Sequence, residues 1–331
     1  MMWFEELFGF AESFPKEVRD KFEWEGNTLT SKVNGKQFTC GTLEIPTLEA
    51  LRKEIDLGNG GGKKLSLTEV VANVQSLHLA PENAQAMFQA ASQFNLLEMI
   101  DPEVTPEEGV GIYQHDGTQG PACAIACGAG TVYRNYLVPM GDHIGQNTLS
   151  QVDCLDEIGK ALGNENESLW EMRNGYALAS LNGLMDIQKQ IESLDEAGYE
   201  ALKGKLKIGI QWNTEVTLNG NGQLVSQAYC SALPVGYSQV MSSFWAPFAE
   251  LVLEASYEAT FYAALKNYQQ TGQPKLYLTL VGGGVFGNAP EWIFSAIEKA
   301  AHKFAHTPLE VIMVSYGKSN EQFREFMHSL S

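Results

Sequence analysis

Positive charge is scarce in this chain. Its 331 residues carry 22 Lys and Arg against 40 Asp and Glu, a formal net charge of −18. Nucleic-acid backbones are held by clustered cations, and no basic run supplies them, so a general nucleic-acid surface is excluded. A small phosphorylated ligand stays open, because backbone N–H groups bind phosphate locally. Cysteine is sparse too. Cys40, Cys123, Cys127, Cys154 and Cys230 are odd in number and form no CxxC pair, which predicts free thiols in a reducing compartment. Cys123 and Cys127 share a helix face by spacing, but no two further ligands stand near them, so they read as small core residues and no metal is expected. No apolar run approaches the ~20 residues of a membrane span. The opening MMWFEELFGFAESF carries early acids and no basic stretch, unlike a signal peptide. These features predict a cytoplasmic protein without a membrane partner.

The pattern changes near residue 65. Before it, TLTSKVNGKQFTCGTLEI alternates around Asn34-Gly35, a two-residue hairpin signal, and Thr47 opens a short helix. GNGGGKK at 58–64 lacks the Ser/Thr and the preceding strand of a phosphate loop and reads as a linker. Residues 1–64 are therefore expected to form an accessory segment. From Leu65 strands and helices alternate. TEVVANVQSL reads as a strand, and APENAQAMFQAASQFNLLEM begins helical, with Ala84, Met87, Phe88 and Ala91 at helical spacing. ACAIACGAGTVYRNYL is a small-residue helix, and LWEMRNGYALAS and LKIGIQWNTEVTL are strands. The Asn219–Gly222 turn leads into QLVSQAYCSAL. FAELVLEASYEATFYAALKNY reads as a strongly amphipathic helix, with its aromatics in the core. PKLYLTLVGGG and LEVIMVSYG are buried strands flanking the helix APEWIFSAIEKAAHKF. This alternation predicts an α/β domain with a mixed sheet and helices on both faces.

The stretch LTLVGGGVFGNAPEW, from Leu278, is the most informative. A strand stops at Gly282-Gly283-Gly284, and a helix succeeds it. Ligands of open α/β sheets sit beyond the carboxyl ends of strands. Glycines let a ligand approach the backbone, and the unpaired amides of a helix N-terminus favour an anion. Phe286 among the glycines can cover a sugar or a base. A plain strand–helix turn with Phe286 in the core is the other reading of this segment alone.

The order of segments resembles the macrodomains, a superfamily of ADP-ribose binders and ADP-ribosyl hydrolases. GGGVFGNAP is similar to their second phosphate-binding loop, with Pro290 displaced, and VSQAYCSALPVGY at 225–237 looks like the strand that precedes it. LWEMRNGYALAS, TQGPACAIACGAG, QAASQFNLLEM and ANVQSL stand where four further family segments belong. The first loop, HDGTQGP, departs from the family's glycines, and Asn73 replaces an adenine-binding Asp. The resemblance leans toward the glycohydrolase-like branch, which includes bacterial effectors that remove ADP-ribose from ubiquitin. It implies a macrodomain-like three-layer α/β/α sandwich over 65–331, with insertions around 138–168 and 181–205.

The resemblance also implies a ligand and a site. The ligand is ADP-ribose, free or on a modified protein such as ubiquitin, with no cofactor. Adenine falls near Asn73, Val74 and Tyr316. The pyrophosphate lies between Gln119-Gly120 and the loop of Gly282, Gly283, Gly284, Val285, Phe286, Gly287 and Asn288. The distal ribose meets Gln93 or Asn95, and Phe286. Hydrolysis through an oxocarbenium-like state calls for a carboxyl group near the anomeric carbon. Asp116 on the first loop is the first choice, Glu98 the second, and Asp153 and Asp156 in QVDCLDEIG the third. His115 reads as an incidental loop residue. An ADP-ribose reader or nucleotide-metabolite sensor without turnover is the alternative, and an unrelated α/β enzyme for another phosphorylated ligand is a third reading.

Overall fold

Seven strands form the central sheet: β1 (Thr42–Glu44), β2 (Ser66–Val71), β3 (Met87–Ala91), β4 (Gly209–Glu215), β5 (Leu224–Cys230), β6 (Lys275–Leu278) and β7 (Glu310–Ser315). A computed structural model of the chain describes residues 2–58 and 64–329, so residues 59–63 of the expected linker lie outside the described residues. The strand order is β1-β4-β5-β3-β6-β7-β2. β5, β3, β6, β7 and β2 are mutually parallel, and β4 runs antiparallel between β5 and β1. The sheet is mixed, as the alternation predicts, and residues 42–44 of the accessory segment supply its edge strand.

Side chains alternate between the two faces of a strand, and β3 shows what covers each face. Phe88 stacks on His78 of the helix Val74–Leu79, with ring centroids 3.8 Å apart. Gln89 turns the other way and donates from Nε2 to Thr260 Oγ1 of the helix Ser242–Thr271 at 3.1 Å. The first face is closed by Val74–Leu79, Gln119–Ala126 and Gly128–Val132. The second is closed by Ser242–Thr271, against which Leu48–Glu54, Leu181–Glu192 and Pro290–Lys303 pack. The result is three layers, α/β/α.

Four local expectations are corrected. The apolar residues from Met87 to Ala91 form the central strand β3, not a helix. A strand buried on both faces carries apolar residues on each of them, so their spacing does not report its period. In TEVVANVQSL the strand ends at Val71, and the Asn73 side chain accepts from Gln75 N at 2.8 Å to start a helix. The small-residue helix is interrupted at Cys127 (φ −118°, ψ 61°) and ends in a wide turn over Tyr133–Leu137. LWEMRNGYALAS is a separate hairpin, Trp170–Arg173 with Tyr176–Ala179, outside the central sheet.

The long helix is also not amphipathic, because helices and sheet enclose it on nearly every side. Even Glu254 and Glu258 are buried. Arg52 grips Glu258 with Nε at 2.7 Å and Nη2 at 2.8 Å, and Lys203 and Lys303 complete the cluster. Burial alone would raise the Glu258 carboxyl, yet the hydrogen bonds from Arg52 and Lys303 and the charge of Lys203 outweigh it and hold the group down at about 2. A depressed acid stabilises the fold above its unfolded value and loses that contribution as pH falls through the folded value. Glu258 should therefore contribute about 3 kcal/mol near neutral pH, lost progressively from 4.5 down through about 2. Glu258→Ala removes the carboxylate that Arg52, Lys203 and Lys303 share; Arg52 and Lys203 keep Glu200 and Lys303 loses its partner, so the change should cost about 3 kcal/mol. Urea unfolding at neutral and acid pH checks both, and a variant whose stability matches wild type at neutral pH contradicts them.

The N-terminal residues build a second, smaller core. Phe22–Glu25, Thr28–Ser31 and Gln37–Thr39 form a three-stranded sheet, whose second turn contains Asn34-Gly35 but is a four-residue loop over 32–35, closed by Ser31 N on Lys36 O at 3.0 Å, instead of the expected two-residue turn. Phe4, Phe8, Phe22 and Phe38 are buried beneath it, together with Tyr113 and Tyr136 from the α/β body.

Candidate functional site

β3 and β6 pair only at Leu276–Met87 and Tyr277–Phe88 and then part. Beyond that point Gln119 takes up the freed edge of β3. Its Nε2 donates to Gln89 O at 2.8 Å, and its Oε1 accepts from Ala91 N at 3.1 Å. Thr279 N donates to Gln89 Oε1 at 3.3 Å on the other side. A cleft opens here, beyond the carboxyl ends of the parallel strands, where sheets of this kind bind ligands. It has two chambers that share Asp116, Thr118, Gln119, Thr279 and Leu280. The larger, about 1150 Å³, is lined by Asn73, Val74, Tyr316, Lys318 and Arg324 among others. The smaller, about 260 Å³, is lined by Gln93, Glu98, Gly120, Tyr176, Tyr237 and Phe286 among others.

The glycine loop forms one wall. Gly282 has φ +77°, and a Cβ there would meet Ala232 Cβ at 2.5 Å and Asn288 Nδ2 at 2.6 Å. Asn288 staples the loop: its amide donates to Gly282 O at 2.9 Å and its Nδ2 to Leu233 O at 2.8 Å. Gly287 N closes onto Gly284 O at 3.0 Å. Among the described residues, the amides of Gly282, Gly284, Val285 and Phe286 have no hydrogen-bond partner. Such a nest of free N–H groups is an anion cradle. Opposite it stands the N-terminus of the helix Gln119–Ala126, with its own unpaired first-turn amides. Gly282, Gly284, Val285 and Phe286 line the small chamber, while Gly283, Gly287 and Asn288 shape the loop from behind.

The small chamber ends on a buried acid. Glu98 is 4% exposed, and its Oε1 has no partner among the described residues. Burial raises its carboxyl well above the ordinary 4.5; the Arg134 guanidinium opposes this and Asp116 adds to it. Glu98 N donates to Tyr113 Oη at 3.1 Å, which fixes the segment. Its Oε2 lies against Gly120, where a Cβ would come within 2.3 Å of that oxygen and 1.9 Å of Ala91 O. Gly120→Ala must therefore displace backbone or the acid. It should cost about 2–4 kcal/mol, and a Gly120→Ala protein that melts as wild type contradicts the geometry.

The other expected residues divide. Asp116 lines both chambers, and its Oδ1 accepts from Thr118 N at 2.8 Å. Gln93 reaches the small chamber, although its Oε1 is taken by Met99 N at 2.8 Å. Asn95 lines neither chamber and is bound to Gln151 Oε1 and Leu97 N at 2.8 and 3.1 Å. Asp153 also lines neither. Burial moves it up to about 6, and its Oδ1 accepts from Leu155 N at 2.7 Å. Tyr316 is 79% exposed at the rim of the large chamber.

Sequence reasoning misses the ring contacts around Phe286. Tyr176 and Tyr237 meet it at centroid distances of 5.3 and 5.6 Å. Tyr176 comes from the outlying hairpin and Tyr237 from the loop after β5, so nothing local ties them together. It also misses Arg134, buried with its guanidinium 3.6 Å above the Tyr229 ring. Among the described residues no three His, Cys, Asp or Glu side chains gather as a metal site, and no helix is long and apolar enough to cross a membrane.

No family model matches the chain, and no curated protein matches it. Among solved structures it is similar to poly(ADP-ribose) glycohydrolase from Deinococcus radiodurans in complex with ADP-ribose, at 14% identity and TM-score 0.47, over 87% of this chain and 95% of that one. It is also similar to the poly(ADP-ribose) glycohydrolase from Thermomonospora curvata, at 10% identity and TM-score 0.44, over 95% and 94%. The latter enzyme bound to the inhibitor ADP-HPD matches at 12% identity and TM-score 0.42, over 95% and 96%.

Proposed function

We propose that this chain binds ADP-ribose and hydrolyses ADP-ribosyl linkages on a protein acceptor. The observation that carries the reading is one cleft in which two sets of free backbone amides face each other and a buried carboxyl group closes the far end. Adenosine lies in the larger chamber against Val74 and Tyr316, with Asn73 beside it through the amide left free by capping. The pyrophosphate spans the gap between Gln119-Gly120 and the loop 282–287. Amide-based binding suits an acidic protein, since it needs no cation cluster. The distal ribose sits under Phe286, beside Gln93.

The chemistry rests on the two carboxyl groups of the small chamber. Burial raises the Glu98 carboxyl well above the ordinary glutamate value, which suits it to the role of general acid. The bond from the anomeric carbon to the acceptor oxygen breaks, and the Glu98 proton passes to that oxygen. Asp116 stabilises the oxocarbenium-like centre and takes a proton from the attacking water, whose oxygen bonds to the anomeric carbon. Tyr176, Tyr237 and Phe286 form a ring-lined wall beside this step. The acceptor is an ADP-ribosylated protein, with ubiquitin the first to test on the likeness to effector-type macrodomains. Five buried free cysteines support a reducing, cytoplasmic setting.

Release of free ADP-ribose from an O-linked ADP-ribosylated peptide, monitored by chromatography, tests the proposal. Release that depends on Glu98 supports it. Binding without release favours a reader, and neither binding nor release removes it.

A further inference from the structure

The first loop of the cleft is tied down from outside the α/β body. Glu12, in the N-terminal segment, accepts from Val110 N at 2.8 Å and Tyr136 Oη at 2.6 Å through Oε1, and from Gly111 N at 2.6 Å through Oε2. The backbone is cut to fit it. Gly109 has φ +85°, and a Cβ on Gly109 or Gly111 would come within 2.5 or 2.7 Å of the Glu12 carboxyl group. Trp3 adds a second tie, from Nε1 to Val110 O at 3.3 Å and from its amide to Gln114 Oε1 at 3.2 Å.

The residues just beyond this anchor belong to the cleft. The turn Gly111–His115 carries Tyr113, whose hydroxyl accepts from Glu98 N at 3.1 Å. Asp116, Thr118 and Gln119 come next and line both chambers. A carboxylate is the only side chain of this size that offers acceptors to three donors at once. A glutamine would turn an N–H₂ group toward one of them and leave it unpaired, which costs more than a missing bond.

We infer that Glu12 is a positioning residue: the N-terminal segment sets the first loop of the cleft through it, and so fixes both Asp116 and the backbone of Glu98. The inference rests on the proposed ADP-ribose site. It gives the accessory segment a part in the site, independent of any substrate protein it docks.

The test compares Glu12→Gln with Ser31→Ala in the full chain. Ser31 Oγ donates to Phe8 O at 2.7 Å within the same N-terminal core but touches no site loop. Two readouts are taken, amide hydrogen exchange over 105–120 and calorimetric affinity for ADP-ribose. Glu12→Gln should speed exchange over 109–118 by about tenfold while β7 stays protected, and should weaken ADP-ribose by about tenfold. Tyr136→Phe, which removes one donor of three, should fall between it and wild type. Ser31→Ala should lower the melting temperature with both readouts unchanged. Equal effects from Glu12→Gln and Ser31→Ala, or faster exchange with unchanged affinity, would overturn the inference and leave Glu12 a structural residue. If wild type itself binds no ADP-ribose, the functional reading fails separately. The exchange comparison then decides: loosening confined to 109–118 in Glu12→Gln retains the inference, and its absence ends it.

Discussion

Glu98→Gln should lower turnover of an ADP-ribosylated peptide by about a thousandfold, the order expected for loss of a positioned general acid, while ADP-ribose binds within about threefold of wild type. The substitution keeps the shape and removes only the transferable proton. The fold should not suffer, because burial already penalises the charged form of this group. A raised carboxyl also fixes the sign of two pH effects. Turnover falls as pH rises through the elevated value, since the acid form is the working one. Stability contributed by this residue is full below 4.5 and declines as pH rises through the folded value, because the unfolded glutamate ionises first. Glu98→Gln should therefore melt no lower than wild type, and the difference should grow in its favour with pH. Unchanged turnover in the variant contradicts the assignment of Glu98. Loss of binding and turnover together assigns it to the ligand cradle instead.

Gly284→Glu should weaken ADP-ribose binding by at least about a hundredfold, and Gly284→Ala should leave it near wild type. No atom lies within 4 Å of a Cβ built on Gly284, so the added methyl group meets open space. The glutamate places a negative charge beside free amides proposed to hold a pyrophosphate, and two like charges about 4–6 Å apart near a protein surface repel by roughly 3–4 kcal/mol. Calorimetric titration of the two variants separates charge from bulk. Equal losses in both would mean that the wall at Gly284 serves only to turn the chain.

The fold is legible in the sequence where composition and period agree. The alternation of strands and helices after residue 65 marks the parallel sheet, but β6 stops at Leu278, three residues short of Val281, where the glycine pattern places its end. β3 misleads because a strand buried on both faces has no polar side to alternate with. The long helix misleads for the opposite reason: its charges look like a solvent face, but Arg52, Lys203 and Lys303 meet them in the interior. At the site, Glu98 has a faint local signal, a lone acid within the apolar run NLLEMI. Its seat against Gly120 joins two segments that are distant in sequence, and no spacing rule reveals it. The same holds for Glu12, which meets Val110 and Gly111 about a hundred residues away. The choice between Gln93 and Asn95 also needs the folded chain, because Asn95 turns to Gln151 and only Gln93 reaches the cleft.

Calorimetric titration of the purified full chain with ADP-ribose, with AMP and NAD as controls, decides whether the cleft takes up ADP-ribose. Saturable binding is expected at one site per chain, tighter for ADP-ribose than for either control and lost in Gly284→Glu. A folded sample that takes up no ADP-ribose, or takes it up equally well with Gly284→Glu, would contradict it.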